Sequence, residues 1–180
     1  PDYITDGTAT DNLATLTFTA PDTSGVLVNA TIPTISSVTP PANGTYLLGQ
    51  NVDFIVNYSE AVTVTGFPTL SLTVGSTSRV ATYLSGTGTT ALTFRYTVPT
   101  NDVDTNGIAS ASPLVLSGGT LQSSNGVNAT LTFTLPNTTA VLVDGDEPTV
   151  ISTTVPATSL YGINQVSWVF TVTFDQVVTV

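Results

Sequence analysis

The sequence predicts an all-β protein, an antiparallel β-sandwich repeated in tandem. Three observations carry this. Apolar residues recur with a period of two in several segments, and Gly-containing turn signals separate those segments. A whole set of strand-like stretches also returns 115 to 116 residues further along the chain. No helix-sized window shows a 3.6-residue apolar period.

The strands can be taken in order. Val52, Phe54, Val56 and Tyr58 alternate with Asp53, Ile55 and Asn57, the pattern of a strand buried on one face. Shorter runs follow at 70–74 and 80–84. Leu92, Phe94, Tyr96 and Val98 then alternate with Thr93, Arg95 and Thr97. After a short run at 114–116, Ala129, Leu131, Phe133 and Leu135 give a further alternating segment, and 140–143 a last one. Between them stand Ala42-Asn-Gly-Thr45, Ser85-Gly-Thr-Gly88, Asn106-Gly107, Gly118-Gly119 and Asn125-Gly126, all suited to tight reversals. About seven short strands in some 115 residues fit an immunoglobulin-like sandwich.

The repeat sets the domain organisation. Ala14-Thr-Leu-Thr-Phe18 returns as Ala129-Thr-Leu-Thr-Phe133, and Val26-Leu-Val28 as Val141-Leu-Val143. Pro33-Thr-Ile-Ser-Ser37 matches Pro148-Thr-Val-Ile-Ser152. Val52, Phe54, Val56 and Tyr58 match Trp168, Phe170, Val172 and Phe174. The sequence thus reads as the C-terminal part of one repeat (1–32), a complete repeat (33–147) and the N-terminal part of a third (148–180). The aromatic residues at strand period, Trp168, Phe170 and Phe174 included, are expected to pack in cores. Tyr46 and its counterpart Tyr161 are expected to brace turns.

Composition narrows the function. Two basic residues, Arg79 and Arg95, face twelve carboxylates, for a net charge of −10. Nucleic acid requires a Lys/Arg footprint to displace phosphate counterions, so it is not an expected partner. No stretch approaches the roughly 20 apolar residues of a membrane span. With no His, Cys or Lys, the usual nucleophile–base pairs and Schiff-base chemistry have no candidate residues, and no enzymatic activity is expected. Charged residues make up only 8% of the chain, against roughly 25% in ordinary soluble domains. Low charge, abundant Thr and absent Cys point to an extracellular, bacterial surface protein.

Asn57-Tyr-Ser-Glu-Ala-Val62, echoed by Thr173-Phe-Asp-Gln-Val-Val178, resembles the strand–turn signature of bacterial Ig-like repeats. So do Phe94-Arg-Tyr-Thr-Val98, the run from Asn101 to Ile108, and Leu116-Ser-Gly-Gly-Thr120. In this order the pieces resemble the Ig-like and cadherin-like tandem repeats of large extracellular surface proteins and adhesins. The resemblance implies a cell-surface stalk, fibre or adhesive protein, often calcium-dependent. Its implied partners are neighbouring copies of the repeat, like subunits in a fibre, or a host or partner cell surface.

Two clusters are candidate Ca²⁺ ligands. Asp102, Asp104 and Asn106 alternate before Gly107, and Ca²⁺ takes six to eight oxygen ligands. The same residues suit a hairpin turn equally well. Asp144, Asp146 and Glu147 precede Pro148 at the junction between repeats, where a cation could stiffen the linker. Their counterparts Asn29, Thr31 and Ile32 carry no carboxylate, which favours a solvated linker. Glu60 is read as a turn residue and Asp53 as solvated. The expected function is a structural or adhesive repeat. The alternatives are a glycan- or cell-binding module, and a fibre subunit assembled by strand complementation between neighbours.

Overall fold

The computed structural model describes residues 19–26, 31–156 and 168–179. The chain divides into two compact units, Pro1–Ala30 and Thr31–Val180. In the first, the described stretch 19–26 is exposed and turns at Asp22, whose Oδ1 accepts the Ser24 N–H at 2.8 Å. The predicted strand at 14–18, most of Val26–Val28, and Tyr161 lie outside the described residues.

The described part of the second unit holds strands and no helix. They are β1 (Ile35–Thr39), β2 (Gly44–Leu47), β3 (Asn51–Thr65), β4 (Thr69–Val74), β5 (Thr77–Ser85) and β6 (Thr89–Thr97). Then come β7 (Val103–Asp104), β8 (Ala109–Val115), β9 (Thr120–Gln122), β10 (Val141–Asp144), β11 (Val150–Thr154) and β12 (Thr171–Phe174). The main sheet runs β1-β3-β6-β5-β4-β8 and is antiparallel throughout. A small sheet, β2-β10-β7, contains one parallel pairing, β2 with β10.

Strand β3 makes the sheet curl. Its 15 residues would extend roughly 50 Å if straight, well past its 9-residue neighbour β6. Its first half pairs with β1 and β6, whereas Thr63–Thr65 pair with β9. The β6 register breaks between Asn57 and Val62, an irregularity of the kind that bends a strand. Glu60 therefore lies within β3 at this break and not in a turn after it, because the ladder resumes beyond it.

Alternation puts Val52, Phe54, Val56 and Tyr58 of β3, Leu92, Phe94 and Tyr96 of β6, and Leu70, Leu72 and Val74 of β4 inside the curl. Val141 and Val143 of β10 and Leu121 of β9 close it. Fully burying each large apolar side chain contributes about 1.5–3 kcal/mol. Tyr83 meets Phe94 edge-on, with ring centroids 6.0 Å apart. The described strands form an all-β arrangement around a curled antiparallel sheet, consistent with a β-sandwich.

The segment 129–135 differs from expectation. Its alternation is used, since Ala129, Leu131 and Phe133 pack against the core. It forms no ladder, however, because its hydrogen bonds go to several neighbours in turn. Ala129 N–H donates to Leu121 O, Thr130 N–H to Pro33 O, and Leu131 O accepts from Leu114 N–H. An extended chain bridging separate elements shows the same period as a strand.

Strands β11 and β12 repeat β1 and the first half of β3 in detail. Ile35↔Tyr58, Ser37↔Asn57, Val38↔Val56 and Thr39↔Ile55 correspond to Val150↔Phe174, Ser152↔Thr173, Thr153↔Val172 and Thr154↔Thr171. Both pairs shift register after their first bridge. The flanking bonds recur as well. Ser59 N–H donates to Thr34 O at 2.8 Å, and Asp175 N–H to Thr149 O at 3.0 Å. Thr34 N–H donates to Ser59 Oγ at 3.0 Å, and Thr149 N–H to Asp175 Oδ1 at 2.9 Å. The apolar residues fare differently in the two copies: Val52, Phe54 and Val56 are 0% exposed, whereas Trp168 is 59%, Phe170 61% and Val172 50% exposed. Among the described residues no second layer lies over β11–β12, and Trp168 and Phe170 are more than half exposed there.

Candidate functional site

The two acidic clusters become neighbours through β7 and β10, where Val143 lies opposite Asp104 and Asp144 opposite Val103. The period of two along 102–104 leaves Val103 partly exposed and turns Asp102 and Asp104 inward, at 3% and 4% exposure. Their carboxylates then meet protein donors.

Asp102 receives Arg79 in a two-pronged pair, Nε to Oδ2 at 2.6 Å and Nη2 to Oδ1 at 2.5 Å. The Tyr96 hydroxyl also donates to Oδ2. The Arg79 guanidinium holds the Asp102 carboxyl below its ordinary range, with help from Tyr96 and against the opposing effect of burial. Burial, followed by the Asp102 bond, pushes the Tyr96 hydroxyl up. Asp104 organises its own loop. Oδ2 accepts Gly75 N–H at 2.7 Å, while Oδ1 accepts Asn106 N–H at 3.1 Å and Gly107 N–H at 2.7 Å.

All four oxygens of Asp102 and Asp104 are therefore in use, and Asn106 takes part through its backbone N–H. A Ca²⁺ ion bound through these oxygens would have to displace a bidentate guanidinium and three backbone donors. Asp102, Asp104 and Asn106 act as internal ties between β5, β6, the β4–β5 turn and the 101–108 loop. Arg79 was the signal in the sequence. It shares the inward phase of β5 with Ala81 and Tyr83, and a charge on an inward phase requires a partner.

At the junction, Gly145 N–H donates to Asp102 O at 2.7 Å and Asn101 N–H to Gly145 O at 3.0 Å. A Cβ at Gly145 would collide with the Pro99 carbonyl, so only glycine allows this approach. Asp144 Oδ1 accepts Asp146 N–H at 3.2 Å, and Asp146 and Glu147 are exposed. An open cleft of about 470 Å³ joins Asp146 and Glu147 to Thr100, Asn101, Thr149 and Asp175. Both Asp175 oxygens are taken by Thr149, whose N–H and hydroxyl donate to it and hold its carboxyl below the ordinary range. Among the described residues no group of three acidic side chains converges. The backbone of this segment is fixed at Gly145, with Asp144 half-buried and Asp146 and Glu147 exposed.

Two other groups complete the polar inventory. Asp53 is not simply solvated; it pairs with Arg95 opposite it, Nε to Oδ1 at 2.7 Å and Nη2 to Oδ2 at 2.6 Å. The Tyr46 hydroxyl donates to Ala42 O at 3.0 Å and braces the loop before β2. Both arginines of the chain are thus committed to structural pairs, one on each face of the sheet. Comparison with protein-family models, with curated proteins and with solved structures found no match to this chain.

Proposed function

We propose that this chain is a piece of a tandem array of immunoglobulin-like β-sandwich repeats forming an extracellular stalk or fibre at a cell surface. In this reading each repeat of about 115 residues is a bead, and the function is to provide reach and stiffness. The observation that carries it is the recurrence of the β1–β3 pair, with its bulge and flanking bonds, as β11–β12. Sequence repetition alone could reflect biased composition. A repeated register shift with the same side-chain cap reflects a repeated structural unit.

The polar groups support the same reading. Arg79, Arg95, Asp53, Asp102 and Asp104 all tie strands together, leaving the described surface with carboxylates but no free guanidinium to recruit an anionic ligand. Adhesion through an aromatic platform would rest on Phe67, 72% exposed and set apart from Trp168 and Phe170 in sequence; single exposed apolar residues are ordinary.

The test is to prepare residues 31–147 alone and in tandem copies of two and four. The single unit should melt cooperatively, and the maximum dimension from small-angle scattering should rise in proportion to copy number. An unfolded single unit, or tandem copies that collapse into a compact particle, would overturn the proposal.

A further inference from the structure

We propose that Asn125, in the turn that follows β9, is where the folded protein spontaneously converts an asparagine to aspartate and isoaspartate, ahead of its other Asn-Gly pairs. The change loosens the closure of the core by β9. It requires only water and stands apart from the tandem-repeat reading.

The chain contains three Asn-Gly pairs, Asn43-Gly44, Asn106-Gly107 and Asn125-Gly126. Asparagine is among the thermally labile side chains. The amide nitrogen of the next residue gives up its proton and attacks the asparagine Cγ, ammonia leaves, and a cyclic succinimide forms. Water then opens the ring at either carbonyl, leaving aspartate or isoaspartate and a new carboxylate. Glycine in second place leaves that nitrogen open to approach, because it has no Cβ. All three asparagines are exposed, so the sites differ in what holds the glycine N–H.

Gly107 N–H donates to the Asp104 carboxylate at 2.7 Å, and a Cβ there would collide with Thr138 O and Thr139. Such a charge-assisted bond is roughly twice as strong as a neutral one, and the packed backbone opposes the rotation that ring closure needs. Gly44 has open space, but its N–H donates to Ala140 O at 2.9 Å at the start of the β2–β10 ladder. Freeing it frays that ladder. Gly126 N–H donates to Ser123 O at 3.0 Å within its own turn, and a Cβ there would meet nothing. Ser123, 7% exposed, holds the turn from beneath. Its N–H donates to Val127 O at 2.8 Å, and its Oγ accepts Asn125 N–H at 3.3 Å and Val127 N–H at 3.2 Å. Gly126 can therefore reach Asn125 Cγ by a local opening that leaves β9 in place.

Isoaspartate would lengthen the main chain of this turn by a carbon. Just before the turn, Leu121 covers the core, and its carbonyl accepts Ala129 N–H at 2.9 Å just after it. A longer turn strains that bond and the cover it holds.

The full chain is incubated in mildly alkaline buffer, folded and in urea, and each site is followed by peptide mapping with mass spectrometry. In the folded chain position 125 should convert faster than position 43, and roughly ten-fold faster than position 106, where the stronger bond must break. In urea the three should convert at comparable rates, because their local chemistry is the same. The isoaspartate form should melt below an Asn125→Asp variant, which carries the added charge without the added carbon. Conversion at 43 or 106 that keeps pace with 125 in the folded chain overturns the proposal, as does an unchanged ranking in urea. Equal melting of the isoaspartate form and the variant overturns the effect on β9.

Discussion

Arg79 and Asp102 lie 23 residues apart in sequence, yet they form the bidentate pair that, with Tyr96, seals one end of the core. A side chain of Asp102 that is only 2% exposed keeps its charge because three donors compensate for lost water. The pH dependence follows from the direction of each shift. Asp102 has a folded pKa below its ordinary 3.8, so it binds its proton more weakly folded than unfolded. Its contribution is present above that ordinary value and is lost as pH falls through the depressed one. Tyr58 runs the other way: burial pushes its hydroxyl from 10.0 up to about 12. That contribution is complete below pH 10.0 and is lost as pH rises toward about 12. Melting temperature against pH should therefore fall on both sides. Asp102→Asn should lower the neutral plateau and flatten the acid limb. Tyr58→Phe should flatten part of the alkaline limb, at a neutral cost of about 1 kcal/mol for the lost bond to Thr130 O. An acid limb unchanged by Asp102→Asn would show that the pair does not govern acid stability.

At the scale of elements, the long β3 strand and its glycine contact with β9 decide how the sheet closes. Gly66 has φ +68, and a Cβ built there would lie 2.9 Å from Gly119 Cα. A Cβ on Gly119 would run into the Thr65 carbonyl. The end of β3 and the start of β9 thus approach backbone to backbone, which brings Leu121 over the core. Gly119→Ala should destabilise the protein by about 1–3 kcal/mol, as overpacking does, measured by urea unfolding. Gly118→Ala is the control for space, since a Cβ there meets nothing, although its φ of +83 still strains a substituted residue. A Gly119→Ala variant no less stable than the Gly118→Ala variant would mean that the close approach is unimportant. The Gly118-Gly119 signal was legible in the sequence as a turn. That its second glycine serves a contact 54 residues away in sequence was not, because such contacts exist only once the sheet has curled.

At the scale of the molecule, the path of force through a repeat follows from the one parallel pairing. Strand β2 runs alongside β10 from Gly44↔Val141 to Leu47↔Asp144. The chain enters β2 at its N-terminal end and leaves β10 at its C-terminal end, which lie at opposite ends of a parallel pair. In the proposed array, tension reaching the β2–β10 pair would shear it and load its hydrogen bonds together. Pulling between Leu47→Cys and the chain beyond Asp144 would instead start at adjacent residues and peel the bonds one at a time. Single-molecule stretching should show a clearly higher rupture force in the first geometry. Equal forces would place the mechanical resistance elsewhere.

The sequence by itself determined the all-β class, the positions of β3, β4, β5, β6 and β10, and the repeat, because alternation and turn residues are local properties of the chain. Segment 129–135 shows the limit of that logic, since an extended run packed on a core alternates whether or not it joins a ladder. Asp102, Asp104 and Asn106 show it again. Oxygen ligands at alternate positions suit a cation and suit internal donors equally well, and only tertiary structure brought Arg79, Tyr96 and the Gly75 N–H to them. Exposure was not legible either: Val52 and Phe54 are buried, whereas their counterparts Trp168 and Phe170 are more than half exposed among the described residues. Burial depends on which strands lie alongside, and a residue's own pattern carries no record of its neighbours.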